Sequence, residues 1–173
     1  RRFHTLYLDR TKLIKDFPES EIAIFIHENS IDPVESIYRF TDNTKMEREE
    51  IINWIAQHGY IDDIEVIYPA LAQYLSEYVF DCGSLSNELT QYFKQYRLLK
   101  VMNQITPEFL VQVEQNAQRL PYTHLETRDS AILRIPDKKD AFLYWIDALG
   151  VEYLPYIATL AKKKGLSIHT DIT

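Results

Sequence analysis

The chain has 173 residues, enough for one domain or for one domain and part of a second. Its 46% hydrophobic and 13% aromatic content excludes a disordered chain, and no apolar run approaches the roughly 20 residues of a membrane span. The formal net charge of −7 opposes phosphate backbones, so nucleic acid is not indicated as a partner.

Residues 1–42 are predicted to form a strand-helix segment. The β-branched and apolar sequence EIAIFIH predicts a strand from Glu21 to His27. An Asn-Ser-Ile-Asp-Pro turn then opens a short helix. His27 and Glu28 lie at the carboxyl end of this strand, where a metal or catalytic role and an ordinary polar turn are the two alternatives.

Residues 43–135 are predicted to form a helical bundle with short capped connections. Thr44 and Glu47 have the Ser/Thr-x-x-Glu spacing of a helix N-terminus. Pro69 lies inside the next apolar stretch and predicts a kink or two short helices. Thr106, before a proline, opens a further helix. The tyrosines and phenylalanines that recur at helical spacing are expected to form the core, with a ligand platform as the alternative.

The net negative charge is concentrated between residues 42 and 81, which include nine acidic residues and only two basic ones. This block is either a solvated helix face or a docking surface for a basic partner. The candidate docking residues are Glu47, Glu49, Glu50, Asp62 and Asp63.

Residues 136–173 are predicted to form a strand, a helix and a second strand. The unbroken apolar run 141–146, Ala-Phe-Leu-Tyr-Trp-Ile, predicts a strand buried on both faces of a parallel sheet. It ends on Asp147, and helical spacing follows Gly150 up to a Lys-Lys-Lys-Gly terminus. The second short strand begins at Leu166. The predicted fold class is therefore mixed α/β.

Asp147 lies at the carboxyl end of this strand, the edge where open α/β sheets bind ligands. A carboxylate next to a buried run needs compensation, which a divalent metal can supply. The alternative is that Asp147 caps the following helix by accepting from the amides of residues 149–150. His169 and Asp171 share one face of the last strand and offer either a metal-binding pair or two solvated side chains.

The remaining cysteine and histidine candidates match no catalytic or metal-binding pattern. Cys82 lies in a loop with no neighbouring histidine, so it is expected to be an ordinary thiol and not a nucleophile. As the single cysteine it also excludes an intrachain disulfide, which fits a reducing, cytoplasmic setting. His58 and His124 belong to no ligand spacing, and neither CxxC nor G-x-S-x-G occurs.

The segment YWIDALGVEYLPYI, residues 144–157, resembles the opening of the PglZ domain of BREX phage-defence systems, a member of the alkaline-phosphatase-like superfamily. The resemblance implies that residues 136–173 start an alkaline-phosphatase-like parallel sheet. It also implies that Asp147 binds a catalytic divalent metal, with zinc as the first expectation and manganese or magnesium as alternatives. Family members bring their nucleophile and other ligands from later segments, so we expect an excerpt of a longer protein.

The resemblance implies that the complete protein is a metal-dependent phosphatase or related hydrolase in bacterial phage defence. Its expected partners are the other proteins of a defence complex, and a homo-oligomer is also considered. The alternative function is a helical protein–protein interaction module with no catalysis of its own.

Overall fold

The computed structural model describes residues 2–30, 36–59, 62–119, 128–137, 139, 141, 142, 144 and 146–168. The predicted helical bundle is confirmed, and no strand occurs among these residues. The first five helices are α1 (Arg2–Leu13), α2 (Glu19–Asn29), α3 (Lys45–His58), α4 (Ile64–Ile67) and α5 (Pro69–Leu75). Those that follow are α6 (Ser86–Val101), α7 (Pro107–Arg119), α8 (Arg128–Leu133) and α9 (Leu154–Lys163). Short 3-10 turns occupy Ile14–Asp16, Ser36–Arg39, Gly83–Leu85 and Val151–Tyr153.

Several helix boundaries lie where the sequence predicts them. The Thr44 side chain accepts from the Glu47 amide at the start of α3, and Gly59, with φ of 89°, ends that helix. The proline at position 69 separates α4 from α5. Thr106 Oγ1 accepts from the Phe109 amide at 3.2 Å, which caps α7. Local capping chemistry therefore sets these boundaries.

The predicted strand from Glu21 to His27 is wrong, because these residues lie within α2. Strand alternation would have placed Ile22, Ile24 and Ile26 on one face. Instead Ile22 is buried, Ile26 packs against the core, and Ile24 is 58% exposed. Phe25, at helical spacing from Ile22, also packs against the core. Helical spacing of the apolar side chains outweighs the β-branched composition.

The predicted strand 141–146 is not shown by its described residues, which are 141, 142, 144 and 146. Phe142 is 87% exposed and Tyr144 is 85% exposed, so the expected burial on both faces is wrong for these side chains. The helix expected after Gly150 is present as the Val151–Tyr153 turn and α9. In the second predicted strand, residues 166–168 are not in a strand, and the residues after them lie outside the described part.

By the clustering of its contacts the chain divides into two compact units. The first unit comprises Arg1–Leu75 and Lys100–Gln104, and the second comprises Ser76–Leu99 and Ile105–Thr173. The first unit is built around a cluster of buried apolar side chains. These are Ile37, Phe40, Ile51, Ile55, Ile64, Ile67 and Leu71. The boundaries predicted at residues 42 and 135 stay predictions.

The second unit has an aromatic core, as the recurring tyrosines and phenylalanines predict. The ring of Phe80, which is 1% exposed, lies 5.2 Å from that of Phe93, and Tyr92 stacks on Phe109 at 5.3 Å. Aromatic contacts therefore hold α6 and α7 together. In addition, the Arg97 side chain of α6 is buried and donates to the Ser76 carbonyl at 3.0 Å.

Helix α7 buries a different face from the one its apolar spacing predicts. Phe109 and Asn116 are buried, whereas Leu110 is 54% and Val113 is 39% exposed. Ala117 is also exposed. Of these four apolar side chains at helical spacing in α7, Phe109 alone is buried.

A buried carboxylate joins three segments of the first unit. Glu47 is fully buried, and its Oε1 lies 2.6 Å from Arg10 Nη2 and 3.1 Å from the Thr41 amide. Its Oε2 accepts from the Thr44 hydroxyl at 2.9 Å. The Arg10 guanidinium also donates to the Arg39 carbonyl. These bonds compensate the cost of removing the carboxylate from water.

The guanidinium of Arg10 is itself partly removed from water. It lies over the Phe25 ring, 4.5 Å from the centroid, which is a cation–π geometry. Burial lowers the pKa of Arg10 below its usual value, and the neighbouring Glu47 carboxylate offsets part of that decrease. Arg10 therefore connects α1 with both α2 and α3.

We expect Arg10→Leu to lower the free energy of unfolding by about 3 kcal/mol, because it leaves the Glu47 carboxylate buried without its cation. Urea denaturation followed by circular dichroism measures the change. The matched control is Lys45→Ala, which removes an exposed i,i+4 pair with Glu49 and should cost at most about 0.5 kcal/mol. Equal losses in the two variants would contradict the structural role of the Arg10–Glu47 pair.

Candidate functional site

Asp147 is exposed to solvent and lies in a turn between the run 141–146 and α9. Its Oδ1 accepts from the amide of the next residue, Ala148, at 2.9 Å. Ala148 has φ of 55°, a left-handed conformation that a non-glycine residue seldom adopts. Neither the 3-10 turn after Gly150 nor α9 has a side-chain cap, so the predicted capping by Asp147 is wrong.

The arrangement around Asp147 does not by itself make a metal site. Among the described residues, no three His, Cys, Asp or Glu side chains come together in a way that could hold an ion. A divalent metal needs several converging ligands, and one exposed carboxylate supplies only one. His169 and Asp171 lie outside the described residues. The metal role of Asp147 stays a prediction.

The stretch from residue 141 to residue 151, named here the apolar segment, is the most exposed hydrophobic stretch that the structure describes. Phe142 and Tyr144 are exposed by 87% and 85%, and Ile146 by 65%. Leu149 and Val151 are each 42% exposed. The first three alternate at a spacing of two, so in an extended backbone they share one face. Single exposed apolar side chains are ordinary, whereas several exposed ones close together in the sequence are typical of interaction surfaces.

The acidic block does not form the continuous docking surface that its sequence suggests. Glu47 is buried in the ion pair with Arg10. Glu50 accepts from the Ser30 hydroxyl at 3.0 Å, and Glu49 lies 3.5 Å from Lys45 Nζ. Asp62 and Asp63 are exposed beside the start of α4. Glu47 is therefore not available for docking, and a docking role of the exposed acids stays a prediction.

The histidine candidates are not brought together within the described residues. His27 and Glu28 are exposed in the last turn of α2, so the strand-end site proposed for them does not exist. The His58 ring lies 4.8 Å from that of Trp54, at the end of α3. His124 lies outside the described residues. None of these side chains adds a ligand to Asp147 in the described part of the chain.

Sequence patterns do not reveal the long-range partner of Glu47 or the exposure of the run 141–146. The Thr44-x-x-Glu47 spacing identifies the helix start, but the bond to Arg10 spans 37 positions and has no local signal. The exposure of Phe142 and Tyr144 is also invisible in sequence, because an apolar run normally indicates burial. The one available signal is that charged residues flank this run, with two lysines and two aspartates before it and Asp147 after it.

Comparison with known proteins identifies one family match. A family described as "Domain of unknown function (DUF7863)" matches residues 1–58, about a third of the chain. The matched range ends at the last residue of α3 and contains Arg10, Arg39 and Glu47. No curated protein and no solved structure matches the chain. None of the described helices has the length and apolar character needed to cross a membrane.

Cys82 is a buried thiol in the core of the second unit. It is 8% exposed, packs with Phe80 and Leu89, and its amide donates to Ser86 Oγ at 2.8 Å. Burial raises the pKa of the thiol, and the Asp81 carboxylate raises it further. Both effects suppress the thiolate, so the prediction of an ordinary, unreactive thiol agrees with this environment.

We expect iodoacetamide to alkylate Cys82 at least about tenfold more slowly in the native chain than in urea, because burial and the raised pKa both deplete accessible thiolate. Mass spectrometry at neutral pH measures the rates. Raising the pH above about 8.5 should also lower stability, since the unfolded thiol then loses its proton while the folded thiol keeps it. Equal alkylation rates in the two states would contradict the buried assignment.

Proposed function

We propose that the chain is a helical protein–protein interaction module and that the apolar segment is its contact element. The observation that carries this proposal is the exposure of Phe142, Tyr144 and Ile146, at a spacing of two residues. Burying aromatic side chains of this size on a partner is worth several kcal/mol, and aromatic residues are enriched among the energetic centres of interfaces.

The charge of the apolar segment favours a protein partner over nucleic acid. The one charged residue of the apolar segment is Asp147, so the segment has no positive charge to attract phosphate. Asp147 is exposed, as is Lys139, which lies two positions before the segment. Such an arrangement, an apolar centre with charged margins, is typical of protein interfaces.

The resemblance to PglZ proteins is the basis on which we propose partners and a compartment for this module. On that basis the partners are other proteins of a phage-defence complex, and the compartment is the cytoplasm, which the single cysteine also fits. The exposed acids Glu49, Asp62 and Asp63 offer a second, weaker surface for a basic partner. The apolar segment is expected to supply most of the binding energy.

We expect the double substitution Phe142→Ser with Tyr144→Ser to reduce partner recovery about tenfold or more, because it removes two exposed aromatic anchors. The measurement is quantitative mass spectrometry of proteins recovered with the tagged chain from cells that produce it naturally. Melting temperature should change little, because neither side chain contributes to the described core.

The matched control is Ile105→Ser with Leu133→Ser, two side chains of the second unit that are 72% and 73% exposed. This pair removes two exposed aliphatic side chains that lie outside the apolar segment in the sequence. Unchanged partner recovery in the Phe142/Tyr144 variant, or the same loss in the control, would contradict the contact role of the apolar segment.

A second candidate is that the chain forms part of a PglZ-like metal-dependent hydrolase. Two observations favour it: the Asp147 carboxylate is accessible, and the order of apolar run, aspartate and helix α9 follows the resemblance. In this proposal the run 141–146 becomes the first strand of the alkaline-phosphatase-like sheet, and Asp147 supplies one ligand of the divalent metal. No other described residue is assigned to that site.

If Asp147 contributes to metal binding within this chain, zinc or manganese should raise the melting temperature by a few degrees, because an ion that binds only the folded state stabilises it. Differential scanning fluorimetry with and without the ion measures the shift. Asp147→Asn should abolish the shift, while Asp137→Asn, at an exposed acid ten positions earlier, should retain it. No shift in the unsubstituted chain would remove Asp147 from metal binding here.

A further inference from the structure

We propose that the chain associates with a second copy of itself through two exposed helix faces of its second unit. The first, named here the α7 face, consists of Leu110, Val113, Glu114 and Ala117. The second, named the α9 face, consists of Leu160, Lys163, Lys164 and Leu166. The inference goes beyond the proposed function, because the apolar segment takes no part in this contact.

The α7 face is an apolar stripe that the second unit leaves exposed. Leu110 is 54% exposed, Val113 is 39% exposed, and Ala117 is also exposed. These three recur at spacings of three and four, so they share one side of α7, next to the side that buries Phe109. Glu114 is exposed and follows Leu110 by one helical turn. The α7 face therefore combines aliphatic side chains with a carboxylate.

The α9 face has the same pattern with the opposite charge. Leu160 is 39% exposed, and the exposed side chains of Lys163 and Lys164 follow it by three and four positions. The Lys164 amide donates to the Leu160 carbonyl at 3.1 Å, so Lys164 lies one helical turn beyond Leu160. All three side chains are therefore on one side of the helix end.

A second exposed leucine is held at this helix end by the backbone. Gly165 has φ of 72°, and the Leu166 amide donates to the Ala161 carbonyl at 2.9 Å. Together with the bond from the Gly165 amide to the Lys162 carbonyl, this is a Schellman motif, in which the residue after the glycine lies against the last helical turn. Leu166 is nevertheless 65% exposed, so it is available to a partner.

The two faces complement each other in charge and in apolar area. In the described part of the chain, Glu114, Lys163 and Lys164 make no ion pair. Contact between the faces covers aliphatic area on both sides and brings the carboxylate to the two ammonium groups. One chain carries both faces, so a second copy supplies the partner that each face requires.

The self-association is expected to be weak. The contact comprises few side chains, and small interfaces bind weakly. The formal net charge of −7 repels a second copy at long range, but salt at physiological concentration screens that repulsion beyond about 8 Å. We therefore expect association that increases with chain concentration at physiological salt.

The test is charge reversal followed by sedimentation equilibrium across a wide range of chain concentration. Glu114→Lys should weaken self-association about tenfold or more, because it places like charges across the contact. Lys163→Glu with Lys164→Glu should have the same effect for the same reason. A triple variant with all three substitutions restores opposite charges and should associate as the unsubstituted chain does. A triple variant as weak as the other two would overturn the pairing.

Mixing the two charge-reversed variants tests whether the contact is between chains. The α7 face of the Glu114→Lys variant is complementary to the α9 face of the variant with both lysines reversed. The other two faces of this pair keep their natural charges and are complementary as well. Each variant alone should remain monomeric at concentrations where their equimolar mixture associates, which unfolding of either variant could not produce. A mixture that stays monomeric would contradict contact between two copies.

Two matched controls reverse charges outside the two faces. Glu108→Lys changes an exposed acid of α7 that lies two positions before Leu110, on another side of the helix. Lys94→Glu with Lys162→Glu reverses two exposed lysines of the second unit. Both controls should retain self-association. The same weakening in the controls would show dependence on net charge alone and would overturn the pairing.

The outcomes separate this inference from the proposed function. A chain that remains monomeric at every concentration overturns the second copy as partner of the two faces. The proposed function still stands in that case if recovery of other proteins depends on Phe142 and Tyr144. Conversely, self-association that follows the charge reversals stands even if partner recovery is independent of those two side chains.

Discussion

The buried Glu47 carboxylate is the constraint on which the first unit depends. A charge that is fully removed from water must be compensated on the spot, and the compensation comes from three separate segments. Arg10 supplies the cation from α1, Thr41 supplies an amide from the connection before α3, and Thr44 supplies a hydroxyl from the helix cap. The ion pair between Arg10 and Glu47 therefore fixes the position of α1 relative to α3.

The same network reaches α2 through different contacts. Arg10 lies over the Phe25 ring, and Arg39, whose carbonyl accepts from Arg10, donates to Asn29 Oδ1 at 2.8 Å. All of these residues fall within the 1–58 range that matches the uncharacterised family. The matched range is thus a set of three helices held together by one charged cluster, which gives a physical reason for it to behave as a unit.

The sequence predicts local structure well where a short-range bond decides it. The cap at Thr44, the stop at Gly59 and the break at Pro69 each depend on residues within four positions of each other. The sequence does not predict the conformation where tertiary packing determines it. The stretch from Glu21 to His27 and the run 141–146 each contain four β-branched or aromatic residues, yet the first is a helix with Ile22 buried and the second exposes Phe142. Composition alone does not separate these outcomes, because tertiary contacts override propensity.

Charge shows the same limit at the candidate site. Counting acids between residues 42 and 81 predicts one negative surface, but Glu47 is buried and Glu50 accepts a hydrogen bond from Ser30. The same counting gives no hint of Asp147, whose value as a candidate came from its place after an apolar run. The structure places Asp147 in an exposed turn and gives it no second ligand among the described residues. Position in the sequence can nominate a ligand, whereas only convergence of several side chains makes a site.

The distribution of exposed apolar area separates the tasks of the two units. Among the side chains that the structure describes, most of the large exposed hydrophobic ones belong to the second unit, from Val79 to Ile168. The first unit, by contrast, covers its seven buried core residues and also satisfies a charged group inside them. Exposed aromatic area is costly in water, and a chain that retains it gains stability when another surface covers it. This asymmetry supports the proposal that the apolar segment is a contact element, although the polar cluster around Glu47 has the closer spacing of charged groups that usually suggests an active site.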